Sequence, residues 1–166
     1  MKDIKDIPKE NLEIERKFLL KNVPSFSGDV DVLMIHQIYV KVDGENVRFR
    51  HTRNMKSLNS VYHKCIKSKL SHGVFEEIEN EVTEDEFNNM EEKDHRYTIK
   101  KRYVYKEGGL NWEIDEYLEI KMATIEVELD DINQEIKIPK FLKDLIIIEL
   151  TGKKEFSNHS LSLKSK

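Results

Sequence analysis

The sequence holds one cysteine, Cys65, with three prolines and six glycines among 166 residues. A lone thiol closes no internal disulfide, so packing and polar contacts must hold the fold, and a reducing, cytoplasmic setting suits it. No stretch is rich enough in proline, glycine or serine to mark a linker, and no segment repeats. No run approaches the roughly 18 apolar residues of a membrane span. The opening MKDIKDIPKE has no apolar core of a secretory signal. Excess positive charge is also missing. Lys and Arg number 28 against 32 Asp and Glu, a net charge of -4, which argues against a nucleic-acid binder working through a broad basic surface. Residues 1–166 read as a single domain large enough to bury a core.

What is abundant is alternation. In LEIERKFLL, residues 12–20, Glu13, Glu15 and Lys17 fall on one side of an extended strand. Leu12, Ile14 and Phe18 fall on the other, and Arg16 interrupts the apolar row. Further strand-like stretches follow: DVLMIHQIYVKV, ENVRFRH, VYHKCIK, VFEEIENEV, RYTIKKRYVY, LNWEIDEYLEI and ATIEVELD. Asp43-Gly44 and Gly108-Gly109 are hairpin turn signals, and a polar loop, TRNMKSLNS, separates two of the runs. Helix candidates are few. TEDEFNNMEEK has Thr83 as N-cap and Glu86 in the capping-box position. Pro139 opens a short PKFLKDL, and another short helix lies in the tail. About eight strands joined mostly as hairpins predict a mainly β, antiparallel meander, and eight strands can close into a barrel without edges.

The charges on these strands are sorted by sign. Acidic pairs occupy one face at Glu13/Glu15, Glu77/Glu79, Glu113/Asp115 and Glu126/Glu128, and basic pairs at Arg48/Arg50 and Lys100/Arg102. Lys67 shares its face with Cys65 and His63. Residues i and i+2 lie about 7 Å apart. At an effective dielectric near 20 each like pair repels by roughly 2 kcal/mol. A wet outer face accounts for any one strand. Six strands with the pattern favour a shared polar interior: eight carboxylates and six cations balanced by bound ions. Carboxylates suit hard divalent cations, and Lys and Arg suit phosphate oxygens. Together they suit a metal-bound polyanion and phosphoryl chemistry. With no cation bound, Glu126 and Glu128 are expected to repel, so that neutralising either costs no stability.

The same stretches resemble the CYTH superfamily, the triphosphate tunnel metalloenzymes. The hallmark E-x-E-x-K strand is similar to Glu13-Ile14-Glu15-Arg16-Lys17. Similar motifs follow in order: IHQIYV at 35–40, VRFR at 47–50, CIK at 65–67 and EIENEV at 77–82, then IKKRY at 99–103, WEID at 112–115 and IEVEL at 125–129. The tail LTGKKEFSNHSL is similar to the family's T-G-x-x-x-[YF]-S-N-x-x-L ending. EIERKFL looks like the bacterial triphosphatase-type members. The resemblance implies an eight-stranded antiparallel closed barrel forming a tunnel, with a few flanking helices. It implies Mg²⁺ or Mn²⁺ held by Glu13, Glu15, Glu126 and Glu128 with Asp115 nearby. It implies phosphate gripped by Lys17, Arg48, Arg50, Lys67, Lys100 and Arg102, and a lining completed by Glu77, Glu79 and Glu113. Glu13, Glu15, Lys17, Glu126 and Glu128 would be the residues of the chemistry. Ile38 and Ser68 stand where glycine is frequent in the family, departures of shape rather than charge.

The expected activity is metal-dependent hydrolysis of a triphosphate, foremost inorganic tripolyphosphate. The alternatives are a class IV adenylate cyclase, a thiamine, RNA or nucleoside triphosphatase, and a non-catalytic polyphosphate-binding module. The expected partner is the small-molecule substrate, with no membrane; a homodimer is compatible with the sequence. His63 and Cys65 match no zinc motif. Trp112 and Tyr103 are expected on the outer strand faces, packed under a helix.

Overall fold

The computed structural model describes residues 2–165. Its strands are β1 (Leu12–Leu20), β2 (Asp31–Val42), β3 (Glu45–Asn54), β4 (Ser60–Ser71), β5 (Val74–Glu81), β6 (Arg96–Glu107), β7 (Leu110–Tyr117), β8 (Met122–Leu129), β9 (Ile146–Glu149) and β10 (Leu163–Lys164). The helices are α1 (Glu84–Glu91), α2 (Lys140–Lys143) and α3 (Asn158–Leu161), with three single turns of 3-10 helix. Neighbouring strands run in the order β6-β2-β3-β4-β5-β1-β8-β7, and β7 pairs back onto β6. All of these pairings are antiparallel, so the eight strands form a closed barrel. Two further strands join it: β9 beside β1 and β10 beside β6.

Turn chemistry fixes much of the register. Asp43 and Gly44 have φ of 50° and 80°, the double positive value of a type I′ hairpin that twists with its strands. Gly73 ends the β4–β5 turn at φ 72°, and a Cβ there would meet the Glu15 carbonyl oxygen at 2.9 Å. That approach lets Glu15 N–H donate to the Gly73 carbonyl at 2.9 Å, which pins β1 where the barrel closes. The polar loop is shorter than the sequence suggests, because residues 52–54 continue β3 and Ser60 already belongs to β4.

The apolar faces point outward, and two large parts of them are covered, while Ile78 on β5 stays exposed. Trp112, Ile114, Ile125, Val127 and Leu20 pack under Leu142 of α2, with Phe26 and Phe141 closing over them. Trp112 therefore sits on the outer face beneath a helix, as its alternation predicts, and is fully buried. On the other side Ile38, Val40, Val47 and Phe49 pack under Phe87 of α1. Thr83 caps α1 in a complete capping box with Glu86. Among the described residues, no helix is long and apolar enough to cross a membrane.

Candidate active site

Barrel closure turns the alternation inward. Residues paired across strands share a face, and the registers join the charged positions into a ring. Lys17 faces Glu126 and Glu15 faces Glu128. Glu113 faces Glu126, and Asp115 faces Thr124. Arg102 faces Asp115. Lys67 faces Glu77, and Cys65 faces Glu79. Arg48 faces Cys65, and Arg50 faces His63. Glu13 faces Phe75 on β5. With Lys100, which faces Tyr117 on β7, all fourteen residues picked from the sequence lie on the inner face.

Most of the cations are paired. Lys17 Nζ lies 3.4 Å from Glu126. Lys67 Nζ lies 3.3 Å from Glu13 and 3.4 Å from Glu15. Arg48 contacts Glu79 at 3.1 Å and Glu77 at 3.5 Å. Deepest is Asp115, whose side chain is 0% exposed. It accepts two parallel hydrogen bonds from Arg102, at 2.7 and 2.9 Å, and lies 2.7 Å from Lys100 Nζ. Arg102 also donates to Glu113 at 2.6 Å. Burial opposes the Asp115 charge, but Arg102 and Lys100 outweigh it and hold the carboxyl below its ordinary range. Asp115 is therefore an anchor for two buried cations. Burial brings Lys100 down to about 8 against the pull of Asp115. Burial, then Arg48 and Arg102, lower Arg50 to about 10.

The acidic wall is unequal. Burial works against ionised Glu126, yet Lys17 and Lys100 outweigh it and lower the carboxyl to about 2. Glu15 goes the other way. Burial, then the Glu126 charge, raise it to about 8 despite Lys67. Glu128 is also raised, by burial and then by Glu13 and Glu113. The repulsion expected between Glu126 and Glu128 is not what shifts either most: Lys17 and Lys100 outweigh burial at Glu126, and burial with Glu13 and Glu113 leads at Glu128. Glu126 is stabilised by its cations, whereas Glu15 and Glu128 are held toward the protonated form and carry the surplus of acid.

That surplus bears on a metal. Glu13, Glu15 and Glu126 are half-buried and Glu128 is exposed, and four hard carboxylate donors on one wall beside Lys17 and Lys67 have the chemistry that suits a divalent ion. Among the described residues, a trio of ligand atoms that all lie within 4.8 Å of one another is Cys65, Glu77 and Glu79 on the neighbouring β4–β5 wall. The Arg48 guanidinium already contacts both of its carboxylates.

A cavity of about 450 Å³ opens between this ring and the C-terminal segment, lined by Glu15, Lys17, Arg48, Lys67 and Glu126 from the barrel and by Lys153, Lys154 and Asn158 from the tail. Two features explain why the tail follows the E-x-E-x-K strand. Arg16, the residue that interrupts the apolar row, makes two bonds to Glu149 at 2.7 and 3.0 Å. Thr151 donates to Glu149 and accepts from Lys17 N–H at 3.0 Å. The chain then crosses the barrel end. Lys17 Nζ donates to the Phe156 carbonyl at 2.7 Å. Asn158 accepts from Lys100 at 3.1 Å and from the Tyr117 hydroxyl at 2.6 Å.

The sequence reading did not single out Asn158, Tyr117, Tyr39 or Gln37. Gln37 accepts from Arg50 at 2.7 Å and donates to Thr98 and Tyr39, so it holds the guanidinium in place. Alternation along β2 puts Gln37 and Tyr39 on the inner face and could have found them. Among the described residues, two buried polar atoms lack a partner: Arg48 Nε, in a cavity-lining side chain, and Thr124 Oγ1, beside Asp115.

No protein-family model matches the chain, and no curated protein matches it in sequence. Solved structures do match in fold. The inorganic triphosphatase NE1496 is 24% identical, with 91% of this chain and 94% of that chain covered at a TM-score of 0.57. The PH1819 protein from Pyrococcus horikoshii OT3 is 17% identical over 90% and 96% of the two chains, at a TM-score of 0.51. The barrel implied by the tunnel resemblance is the fold observed.

Proposed function

We propose that the chain is a divalent-metal-dependent triphosphatase that hydrolyses inorganic tripolyphosphate to pyrophosphate and phosphate inside the barrel. The observation that carries this reading is the closed ring of inward charges, with a surplus of carboxylate on the β1–β8 wall and cations facing it. The fold likeness to the inorganic triphosphatase NE1496 supports it. Glu13, Glu15, Glu126 and Glu128 would hold Mg²⁺ or Mn²⁺; when bound, the ion would offset phosphate charge as it builds on the leaving group.

The chain's own residues bind and orient. Arg48, Lys67 and Lys17 line the cavity and receive phosphate oxygens, and Arg48 Nε is the buried donor still lacking an acceptor. Arg50, Arg102 and Lys100 extend the positive field deeper, where low dielectric strengthens it. A lining glutamate orients water and takes its proton as the water oxygen attacks the terminal phosphorus. The P–O bond to the bridging oxygen breaks, and pyrophosphate departs with the bond's electron pair.

The test is a substrate panel with Mg²⁺, Mn²⁺ or chelator, scoring phosphate, pyrophosphate and cyclic nucleotide separately. Release of phosphate from tripolyphosphate only with metal is the expected result. Cyclic nucleotide from ATP as the main product, or full turnover in chelator, overturns the assignment.

A further inference from the structure

At the rim of the barrel a second cavity, about 770 Å³, adjoins the first, and Tyr39, Asn46 and His159 line both. The registers show how the inner face runs out into it. Tyr39 faces Arg48 and Lys41 faces Asn46 across β2 and β3. Tyr39 also faces Arg96 across β2 and β6, and β10 adds Lys164 opposite Arg96. The wall that carries Arg50 and Arg48 therefore continues outward to Lys41 in steps of about 7 Å.

The charge balance changes at the rim. Inside the barrel Lys17, Arg48, Lys67, Lys100 and Arg102 each have a carboxylate within 4 Å. The outer cavity is lined by Lys41, Lys93, Arg96 and Lys164 with Asp94 as its one carboxylate, and among the described residues none of the four cations is in an ion pair. Arg96 is fixed by Ser162, which accepts from its guanidinium through both hydroxyl and carbonyl oxygens. Burial, then Arg96, Lys154 and Lys41, lower His159, so these cations converge on the passage between the two cavities. A wall with paired charges suits a polyanion that brings metal with it. A wall with unpaired cations suits an anion alone.

We propose that this rim cavity is a second anion subsite, which binds a phosphoryl group carried beyond the three phosphates held in the barrel. The proposal rests on the triphosphate reading above and adds a preference for longer or further phosphorylated substrates. Lys41, Arg96 and Lys164 receive the extra group, and Tyr39 and His159, whose rings meet edge-on at 5.1 Å, form the threshold.

The test compares kcat/KM for linear tetraphosphate with that for tripolyphosphate, in the full chain and in Lys41→Glu and Lys164→Glu. A second arm compares a nucleoside 5′-triphosphate bearing a 3′-phosphate with the same nucleotide without it. Lys106→Glu, ten residues and about 33 Å along β6 from Arg96, controls for net charge. In the native chain the longer substrate should be preferred. In each rim variant that preference should fall about fivefold, the scale of an exposed ion pair, and more steeply at low salt. A fall on tetraphosphate identifies a phosphate chain, and a fall confined to the nucleotide pair identifies a phosphorylated organic tail. Unchanged ratios on both arms overturn the subsite. If the native chain does not hydrolyse tripolyphosphate, the triphosphate reading fails on its own. The subsite is then judged by calorimetric binding of tetraphosphate in chelator, which the Lys41→Glu/Lys164→Glu double variant must weaken for the proposal to stand.

Discussion

Glu126 and Val127 are neighbours in β8 and obey different physics. Val127 points outward into a cluster sealed by Leu142 and Phe141, where stability follows buried apolar area and is indifferent to pH or salt. Glu126 points inward to Lys17, Lys100 and Arg102, where stability depends on how completely each charge is compensated. The same contrast runs around the barrel, with Ile114 against Asp115, Val47 against Arg48 and Ile99 against Lys100. A core that would ordinarily fill a barrel has been moved to its outside, leaving the interior free for charge.

The two faces should break differently. Asp115→Asn strands the buried cations Lys100 and Arg102 and should cost about 3–5 kcal/mol. Trp112→Ala, three residues back along β7 on its outer face, should cost a similar 3–5 kcal/mol through its cavity. Thermal unfolding in chelator with and without tripolyphosphate separates them. The polyanion should raise the melting temperature of Asp115→Asn more than that of the native chain, and should leave the deficit of Trp112→Ala unchanged. Equal rescue of both would erase the distinction between the faces.

Within the inner face, Glu15 and Glu126 should respond in opposite directions. The folded state lowers Glu126 from 4.5 to about 2, so its contribution is present above pH 4.5 and lost as pH falls toward 2. It raises Glu15 from 4.5 to about 8, so that contribution is complete below pH 4.5 and lost as pH rises through 8. In chelator at pH 8, Glu15→Gln should therefore melt a few degrees higher than the native chain, and Glu126→Gln a few degrees lower. Both should lose at least about a hundredfold in metal-dependent hydrolysis, as expected for lost site electrostatics. A native-like melting temperature for Glu126→Gln would mean that Lys17 does not stabilise it.

Thr151→Val should have a smaller effect that reaches across the faces. It leaves the buried Lys17 N–H without its acceptor and removes one of three hydrogen bonds to Glu149, at a cost of about 1–3 kcal/mol. Because Lys17 lines the cavity, KM for tripolyphosphate should rise with it. Steady-state kinetics beside a melting curve checks both; a stability loss with native KM would confine Thr151 to a structural role.

These contrasts were legible in the sequence to different depths. Sign-sorted pairs at i and i+2 announced the inner face, because strand alternation is local and like charges have no other reason to recur. Asp43-Gly44, Gly108-Gly109 and the Thr83–Glu86 box were legible for the same reason. Arg16 was visible only as an interruption, since its partner Glu149 is 133 residues away. The difference between Glu126 and Glu128 was hidden too. It depends on which cations face each residue once β1, β6, β7 and β8 meet, and only barrel closure decides that. Asn158 belonged to a recognised motif, but its contact with Lys100 depends on the tail crossing the barrel end.

The smallest expected effect is the cleanest test of whether the outer face matters to the chemistry at all. Thr83 caps α1, accepting from Glu86 N–H while its own N–H donates to the Glu86 carboxylate at 2.7 Å. Thr83→Ala removes the hydroxyl half of that box and should cost about 1 kcal/mol. Helix α1 lays Phe87 over Val47 and Phe49, whose chain neighbours Arg48 and Arg50 face the interior. Fraying one turn of α1 loosens an outer cover without touching an inward charge. The melting temperature should therefore fall by a few degrees while kcat and KM for tripolyphosphate stay native, when both are measured well below the transition. A drop in kcat/KM at that temperature would show that β3 transmits the strain of its outer face to Arg48 and Arg50, and that the two faces are coupled.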